Sequence, residues 1–294
     1  MASLAAGTAP LTWDAWVIDN ASSDDSVAAI RAGFPHVRLI ANRGNVGFAA
    51  ANNQGIAASR GRYVLLLNSD TVVPPGSLAA LVGFADAHPG AGVVGPELTN
   101  PDGSYQTGPT PFPSVWNELL SASGVGRRLT HRGYPSRPAH RARLAQRTDY
   151  VGGACMLGRR TAVDEVGGLD ESYFMYSEEP DWCWRMRRHG WEVWYTPSAK
   201  VIHYGGQSTS QAREAMIKAL YRSKVRFLTR HRGRRHGLAL AAGLVGISCG
   251  RRLIRRALRQ SPPGVALGLA ELLAEPSATG IPTNSRNKDR PLPD

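Results

Sequence analysis

Arg62-Tyr-Val-Leu-Leu-Leu-Asn-Ser-Asp-Thr71 is the stretch that decides the fold. Tyr63 to Leu67 form an unbroken apolar run without Gly or Pro, the pattern of a strand buried on both faces inside a parallel sheet. The run ends in polar Asn68-Ser69-Asp70-Thr71, and Pro74-Pro75-Gly76 stops any continuation. Open α/β sheets bind ligands at the carboxyl ends of their strands. Asp70 therefore stands where a carboxylate can grip a hard cation bound to a phosphate. The same four polar residues also read as a turn, or as the N-cap of a helix from about Ser77 to Ala87, and this stretch alone does not separate the two.

Outward from that strand, the chain alternates strand, polar loop and helix. Trp13 to Ile18 is a strand candidate, ending in Asp19-Asn20-Ala21-Ser22-Ser23-Asp24, which is rich in turn and cap residues. A helix from Val27 to about Ala32 and a short strand near Val37 to Ala41 follow. The glycine-bearing loop Asn42-Arg43-Gly44-Asn45-Val46-Gly47 then leads into a small-residue helix from about Ala49 to Ser59. This alternation predicts parallel pairing with right-handed crossovers, which would put Asp19 and Asp70 at the carboxyl ends of neighbouring strands. Val93 to Pro96 is a further strand before the turn Asn100-Pro-Asp-Gly103. From about Pro109 to Arg147 the chain is rich in Pro, Arg and Ser with few periodic apolar positions, as in a long functional or mobile loop.

Val151 to Leu157, with glycines at its entry, reads as a strand, and Arg160 to Val166 as a short helix closed by Gly167-Gly168. The second informative stretch is Tyr176-Ser-Glu-Glu-Pro-Asp-Trp-Cys-Trp-Arg-Met-Arg-Arg-His-Gly190. Pro180 fits the first position of a helix, with Glu178, Glu179 and Asp181 crowded at its positively polarised end and Gly190 as the stop. Such crowding offsets a helix dipole. It also raises the pKa of one carboxyl or another, which suits a general base near neutral pH, and the residues alone leave both readings open. Trp191 to Tyr195 and Lys200 to His203 read as strands; a lone histidine at a strand end, like His203, is more often structural than a ligand.

At 294 residues, 42% hydrophobic and 20% charged, the chain has material for one large α/β domain and an appendage. Cys155, Cys183 and Cys249 show neither paired nor metal-ligand spacing, so reduced thiols in a cytoplasmic setting are expected. Met1 to Pro10 lacks the basic and apolar regions of a secretory leader. The net charge of +12 resides in one block: Ala215 to Ala270 holds 13 Lys or Arg and no Asp or Glu. That block opens with a helix to about Arg230. It continues through Leu238 to Cys249, an apolar segment flanked by arginines and short of the roughly 20 residues that span a bilayer. The segment suits a helix lying on an anionic membrane, or a core helix with a solvated arginine face. No aromatic-interleaved groove or reader motif accompanies the charge, which argues against nucleic acid as a partner. From Glu275 onward Pro, Ser, Asn and Lys predominate, and disorder is expected. The chain thus divides into residues 1–210, a basic helical extension 211–262 and a tail 263–294.

Seven motifs occur in order between Trp13 and Ser208. They are Asp19-Asn-Ala-Ser-Ser-Asp24, Asn45-Val-Gly-Phe48 with Asn52-Asn53, Leu65-Leu-Leu-Asn-Ser-Asp-Thr71, Gly152-Gly-Ala-Cys-Met156, Gly167-Gly-Leu-Asp170, Tyr176-Ser-Glu-Glu-Pro-Asp181 and His203-Tyr-Gly-Gly206. The set resembles that of the inverting family 2 glycosyltransferases with the GT-A fold, and most closely their rhamnosyltransferase-like branch. The resemblance implies an α/β GT-A domain with a mostly parallel central sheet. It implies that Asp19 recognises the nucleotide base, and that Asn20, Asn45, Gly47, Asn52 and Asn68 line the nucleotide-sugar pocket. Asn68-Ser69-Asp70 matches the family's DXD-type motif, so that Asp70, completed by His203, would hold Mg2+ or Mn2+ on the diphosphate. Glu179 matches the catalytic base, with Glu178 and Asp181 as alternates for base or acceptor contact. The implied donor is a nucleotide sugar, dTDP-rhamnose among the candidates. The implied acceptor is a cell-wall polysaccharide or lipid-linked glycan, met peripherally at the inner face of the cell membrane.

The sequence departs from the family pattern twice. The family's opening strand, with its Thr-Tyr-Asn-like end, and the following helix have no counterpart in the 12 residues before Trp13. That departure is expected to reflect either a start codon placed downstream of the true one or a truncated, inactive protein serving as a binding or partner subunit. Glu-Glu-Pro also stands where Glu-Asp-Val is commoner; the extra methylene of Glu179 still reaches a hydroxyl.

Overall fold

A computed structural model describes residues 1–124, 143–205, 213–257 and 265–274. Its elements run α1 (Ala2–Thr8), β1 (Trp16–Asp19), α2 (Ser26–Gly33), β2 (Arg38–Ala41), α3 (Phe48–Ala58), β3 (Tyr63–Leu67), β4 (Thr71–Val72), α4 (Ser77–Ala87), β5 (Ala91–Thr99), β6 (Tyr105–Thr107) and α5 (Val115–Ser123). They continue as β7 (Gln146–Arg147), β8 (Cys155–Arg159), α6 (Arg160–Val166), α7 (Glu178–Arg188), β9 (Glu192–His203), α8 (Arg213–Arg232), α9 (Arg234–Ala257) and α10 (Leu269–Leu273).

The run Tyr63–Leu67 is covered on both faces, as its composition requires. Val64 and Leu66 enter one apolar cluster, whereas Tyr63, Leu65 and Leu67 pack against a second across the sheet. Neighbouring strands repeat the alternation: Met156 of β8 and Val193 and Tyr195 of β9 face the first cluster, and Cys155, Leu157, Trp194 and Val201 the second. A side-chain period of two lets one strand serve both layers. Leu78, Leu81 and Ala85 of α4 close the second face, and Trp182 and Met186 of α7 fill the first.

Seven strands form the main sheet in the order β3-β8-β5-β9-β4, with β6 on β5 and β7 on β9. The sheet is mixed. β5 and β9 run parallel at its centre, and β1 and β2 form a separate parallel pair, while β3 meets β8 antiparallel with Leu67 opposite Cys155. The expectation that Asp19 and Asp70 end neighbouring strands is therefore corrected: among the described residues β1 pairs with β2 and β3 with β8. Strand–helix alternation specifies how a strand is entered and left. It does not specify which later strand takes the place beside it.

The stretch read as a loop from Pro109 to Arg147 contains α5, whose N-cap Ser114 accepts the Asn117 N–H at 3.2 Å; residues 125–142 of it lie outside the described residues. The basic extension is no appendage. Phe227, Leu228, Leu240 and Leu244 of α8 and α9 belong to the same buried cluster as Val64 and Trp182. Of the two readings of Leu238 to Cys249, the core helix describes its inner side, while Leu238 and Cys249 lie exposed on the outer one. Residues 265–274 of the expected tail include α10, with Leu272 buried, and residues 206–212, 258–264 and 275–294 lie outside the described residues.

Candidate active site

At the end of β3 the Asn68 N–H donates to Ala154 O at 3.0 Å, and the turn is closed by Thr71 Oγ1 donating to Asn68 O at 2.7 Å. Tyr204 N–H donates to Asp70 O at 2.9 Å, and Thr71 pairs with His203 between β4 and β9. These backbone bonds bring His203 Nε2 to 3.2 Å from Asp70 Oδ1. The two residues expected to share a metal thus meet.

Gln106, which no motif singled out, decides which ring nitrogen faces Asp70. Its Nε2 donates to His203 O and to Asn100 Oδ1, both at 2.9 Å. Its Oε1 is therefore the acceptor that lies 2.8 Å from His203 Nδ1, so Nδ1 carries hydrogen. The reversed amide would set oxygen against two oxygens. His203 Nε2 is left with a lone pair aimed at a carboxylate oxygen, an arrangement that calls for a proton or a cation between them. The pair fits a hard divalent ion. Among the described residues no group of three or more His, Cys, Asp or Glu gathers around one point, so the remaining ligands would be diphosphate oxygens and water. Gln106→Leu is expected to weaken Mn2+ binding by about 10- to 100-fold without unfolding the chain, as measured by calorimetric titration.

The asparagine-rich loops form a second cluster. Asp19 is 7% exposed, and its Oδ2 accepts the Ser22 N–H at 3.2 Å from a loop in which Ala21 is left-handed, φ 63°. Asn20 Nδ2 donates to Asn45 Oδ1 at 2.9 Å and Gly47 O at 3.2 Å, and its Oδ1 accepts the Val46 N–H at 3.0 Å. Asn20, Asn45 and Gly47 are thus knotted together. Gly47, at φ 88°, is needed sterically, since a Cβ there would lie 2.7 Å from Phe174 O. Asn52 turns back on its own helix, donating to Phe48 O at 2.9 Å. Its neighbour Asn53 instead reaches across to Leu169 O at 2.8 Å and Glu171 Oε1 at 2.9 Å.

The third cluster is carboxylic. α7 begins at Glu178, two residues before the start expected from Pro180; Pro180 sits in the first turn, where its missing N–H costs no helical bond. Tyr176 and Ser177 ahead of it are both left-handed, φ 68° and 67°, a strained pair of the kind held only by its surroundings. Glu179 packs under Gly153, where a Cβ would come within 2.8 Å of Glu179 Oε1. Since Ala154 O receives the Asn68 N–H, one backbone step links Glu179 to the strand end bearing Asp70. Burial raises the Glu179 pKa, against the backbone N–H groups of Glu179, Gly153 and Ser177 and the charge of Lys224. Glu178 is 3% exposed with Oε2 unpartnered among the described residues, and burial, then the Glu179 charge, pushes its carboxyl well above the ordinary range.

Asp181 leaves the set of alternate bases. It is wholly buried and receives Arg185 Nε at 2.8 Å and His231 Nε2 at 2.7 Å. Burial pushes its carboxyl up, but the bonds from His231 and Arg185 outweigh it and hold the pKa below the ordinary value. Its stabilising contribution is thus complete above the unfolded carboxyl range and is lost as pH falls through the depressed pKa. Asp181→Asn is expected to cost about 3–5 kcal/mol in denaturant unfolding near neutral pH, because it strands two buried cations.

Comparison with known proteins fixes the class first. The mannosyltransferase PcManGT from Pyrobaculum calidifontis, solved with GDP-Man and Mn2+, superposes with a TM-score of 0.51 over 83% of this chain and 66% of that one at 15% identity. The fold is that of a GT-A glycosyltransferase. Within that class, residues 1–167 match glycosyl transferase family 2, and the chain belongs to that family and is a hexosyltransferase. It is 32% identical to the N-acetylglucosaminyl-diphospho-decaprenol L-rhamnosyltransferase of Mycobacterium tuberculosis (strain H37Rv), over 82% of this chain and 86% of that protein. Rhamnosyltransferase WbbL of Escherichia coli (strain K12) is 32% identical over 29% of this chain and 32% of its own.

Proposed function

We propose that the chain transfers rhamnose, with inversion, from dTDP-rhamnose to a lipid-linked glycan at the cytoplasmic face of a membrane. Glu179 takes the proton of the acceptor hydroxyl. The freed oxygen attacks the anomeric carbon as the bond to the diphosphate oxygen breaks, and the nucleoside diphosphate departs. A Mg2+ or Mn2+ held by Asp70 and His203 supplies positive charge to that departing diphosphate. Glu178, keeping its proton, leaves Glu179 as the single charged carboxylate of the pair. Asp19 meets the base of the nucleotide, with Asn20, Asn45, Gly47 and Asn68 along the rest; Asn52 supports the loop through Phe48.

The observation that carries this reading is the short path from Glu179 through Gly153-Ala154 to Asn68, which puts the base and the Asp70–His203 pair on one rim. The acceptor class draws on the decaprenol-linked substrate named for the mycobacterial relative. An anionic membrane is the surface that suits the extension. A cleft of about 380 Å³ between α7 and α8 is lined by Arg187, Arg188, Arg232, Phe112 and Trp184, next to exposed Arg234 and Arg235. Among the described residues no helix is long and apolar enough to cross a membrane. In this proposal residues 1–210 and 211–262 act as one transferase body, with 263–294 beyond it.

Release of nucleoside diphosphate from dTDP-rhamnose, GDP-mannose and UDP-N-acetylglucosamine, with and without Mn2+, tests the reading. Mn2+-dependent turnover of dTDP-rhamnose supports it. Turnover of another donor alone overturns the rhamnose assignment, and turnover undiminished by chelation overturns the metal.

A further inference from the structure

Helix α8 grips both flanks of the turn that carries Glu179. Ser223 Oγ donates to Met175 O at 2.8 Å, immediately before the left-handed pair Tyr176 and Ser177. Farther along the helix, His231 meets Asp181 at 2.7 Å and Arg230 pairs with Asp170. Next to the first anchor stands Lys224, whose Nζ lies 2.5 Å from Glu118 Oε2 on α5. Glu118 is fully buried and the Lys224 side chain is 16% exposed. A buried carboxylate needs a counter-charge, which explains the pair but not its location. The location brings a cation to the base. Tyr150 lies within the fields of both Glu179 and Glu118, and Lys224 acts on Glu179 itself, so these groups share one pocket.

We propose that Lys224 is a positioning residue for transfer: oriented by Glu118, its ammonium stands beside Glu179 and holds that carboxylate ionised and aimed at the acceptor hydroxyl, which makes α8 a wall of the active site. The inference rests on Glu179 being the base. A lysine here offsets what Glu178 does from the same helix, since a protonated neighbour and a nearby cation together leave Glu179 the group that is charged when the acceptor arrives. The groups bearing on Glu179 are Glu178 and Cys183 of α7, Tyr150 ahead of β8, Lys224 of α8 and, through Lys224, Glu118 of α5.

The test is the pH profile of kcat/KM in the full chain. Removing the cation raises the pKa of Glu179, so in Lys224→Met the acid limb moves upward by about one pH unit, with donor KM unchanged. Lys224→Arg, which keeps the charge, restores the parent limb. Should Lys224→Met fail to fold because Glu118 is left unpaired, Lys224→Met/Glu118→Gln removes both charges together and is expected to shift the limb in the same direction by less. An unmoved acid limb in a folded Lys224→Met or in the double variant overturns the proposal. Glu179→Gln separates the two levels. If it turns over like the parent, the base assignment itself falls; if it is inactive while the Lys224 variants keep the parent profile, only the role of Lys224 falls.

Discussion

Glu179→Gln is expected to bind donor and Mn2+ as the parent does and to turn over roughly 10³-fold more slowly, the scale of losing a positioned general base. The amide keeps the shape that packs under Gly153 but can take no proton. Glu178 does not stand in for it, because burial and the neighbouring charge keep its carboxyl protonated near neutrality. The pH profile carries the same signature. In the parent, kcat/KM falls as pH drops through the raised pKa of Glu179, and in the amide variant the small residual rate loses that limb. Single-turnover transfer and calorimetric donor binding measure the two halves separately. Retention of turnover within about threefold of the parent would refute the assignment, since positioned bases contribute at least about 100-fold.

Asp70→Ala carries the second largest effect: donor binding should cease to respond to Mn2+, and turnover should fall by about 10²- to 10³-fold, as when one preorganised charge contact to a leaving oxyanion is lost. The side chain of Asp70 is 21% exposed and faces His203 outside the apolar clusters, so thermal unfolding should change little. That contrast separates it from Asp181→Asn, which strikes stability first. His203→Ala should act in the same direction as Asp70→Ala but less strongly, because a neutral nitrogen ligand is removed and the anionic one stays. Isothermal titration of the nucleoside diphosphate with and without Mn2+ reads both. Equal Mn2+ dependence in Asp70→Ala and the parent would move the metal elsewhere.

Much of the local structure was legible in the chain. Tyr63–Leu67, Ser77–Ala87 and Arg160–Val166 form over the residues that their apolar runs, turn prolines and closing glycines indicate. The motif residues also fall into the clusters that the family resemblance implies: Asp70 with His203, and Asn20 with Asn45 and Gly47. Other features left no local trace. Helix α5 sits in a Pro- and Arg-rich stretch with few periodic positions, and its Glu118 gains meaning only when Lys224 arrives from α8. Gln106 looks like any strand residue until His203 pairs across from it. Asp181 reads as one more acid at a helix start, and only the approach of His231 makes it a buried anchor.

The sequence by itself determined the period of each element, where it starts and stops, and which residue types stand at strand ends, because these depend on neighbours within a few positions. Tertiary structure alone decided that β3 pairs with β8, that α8 and α9 join the main core, and which of three adjacent carboxylates stays buried and paired. Those outcomes depend on desolvation and on partners remote along the chain, and both exist only once the whole core has closed.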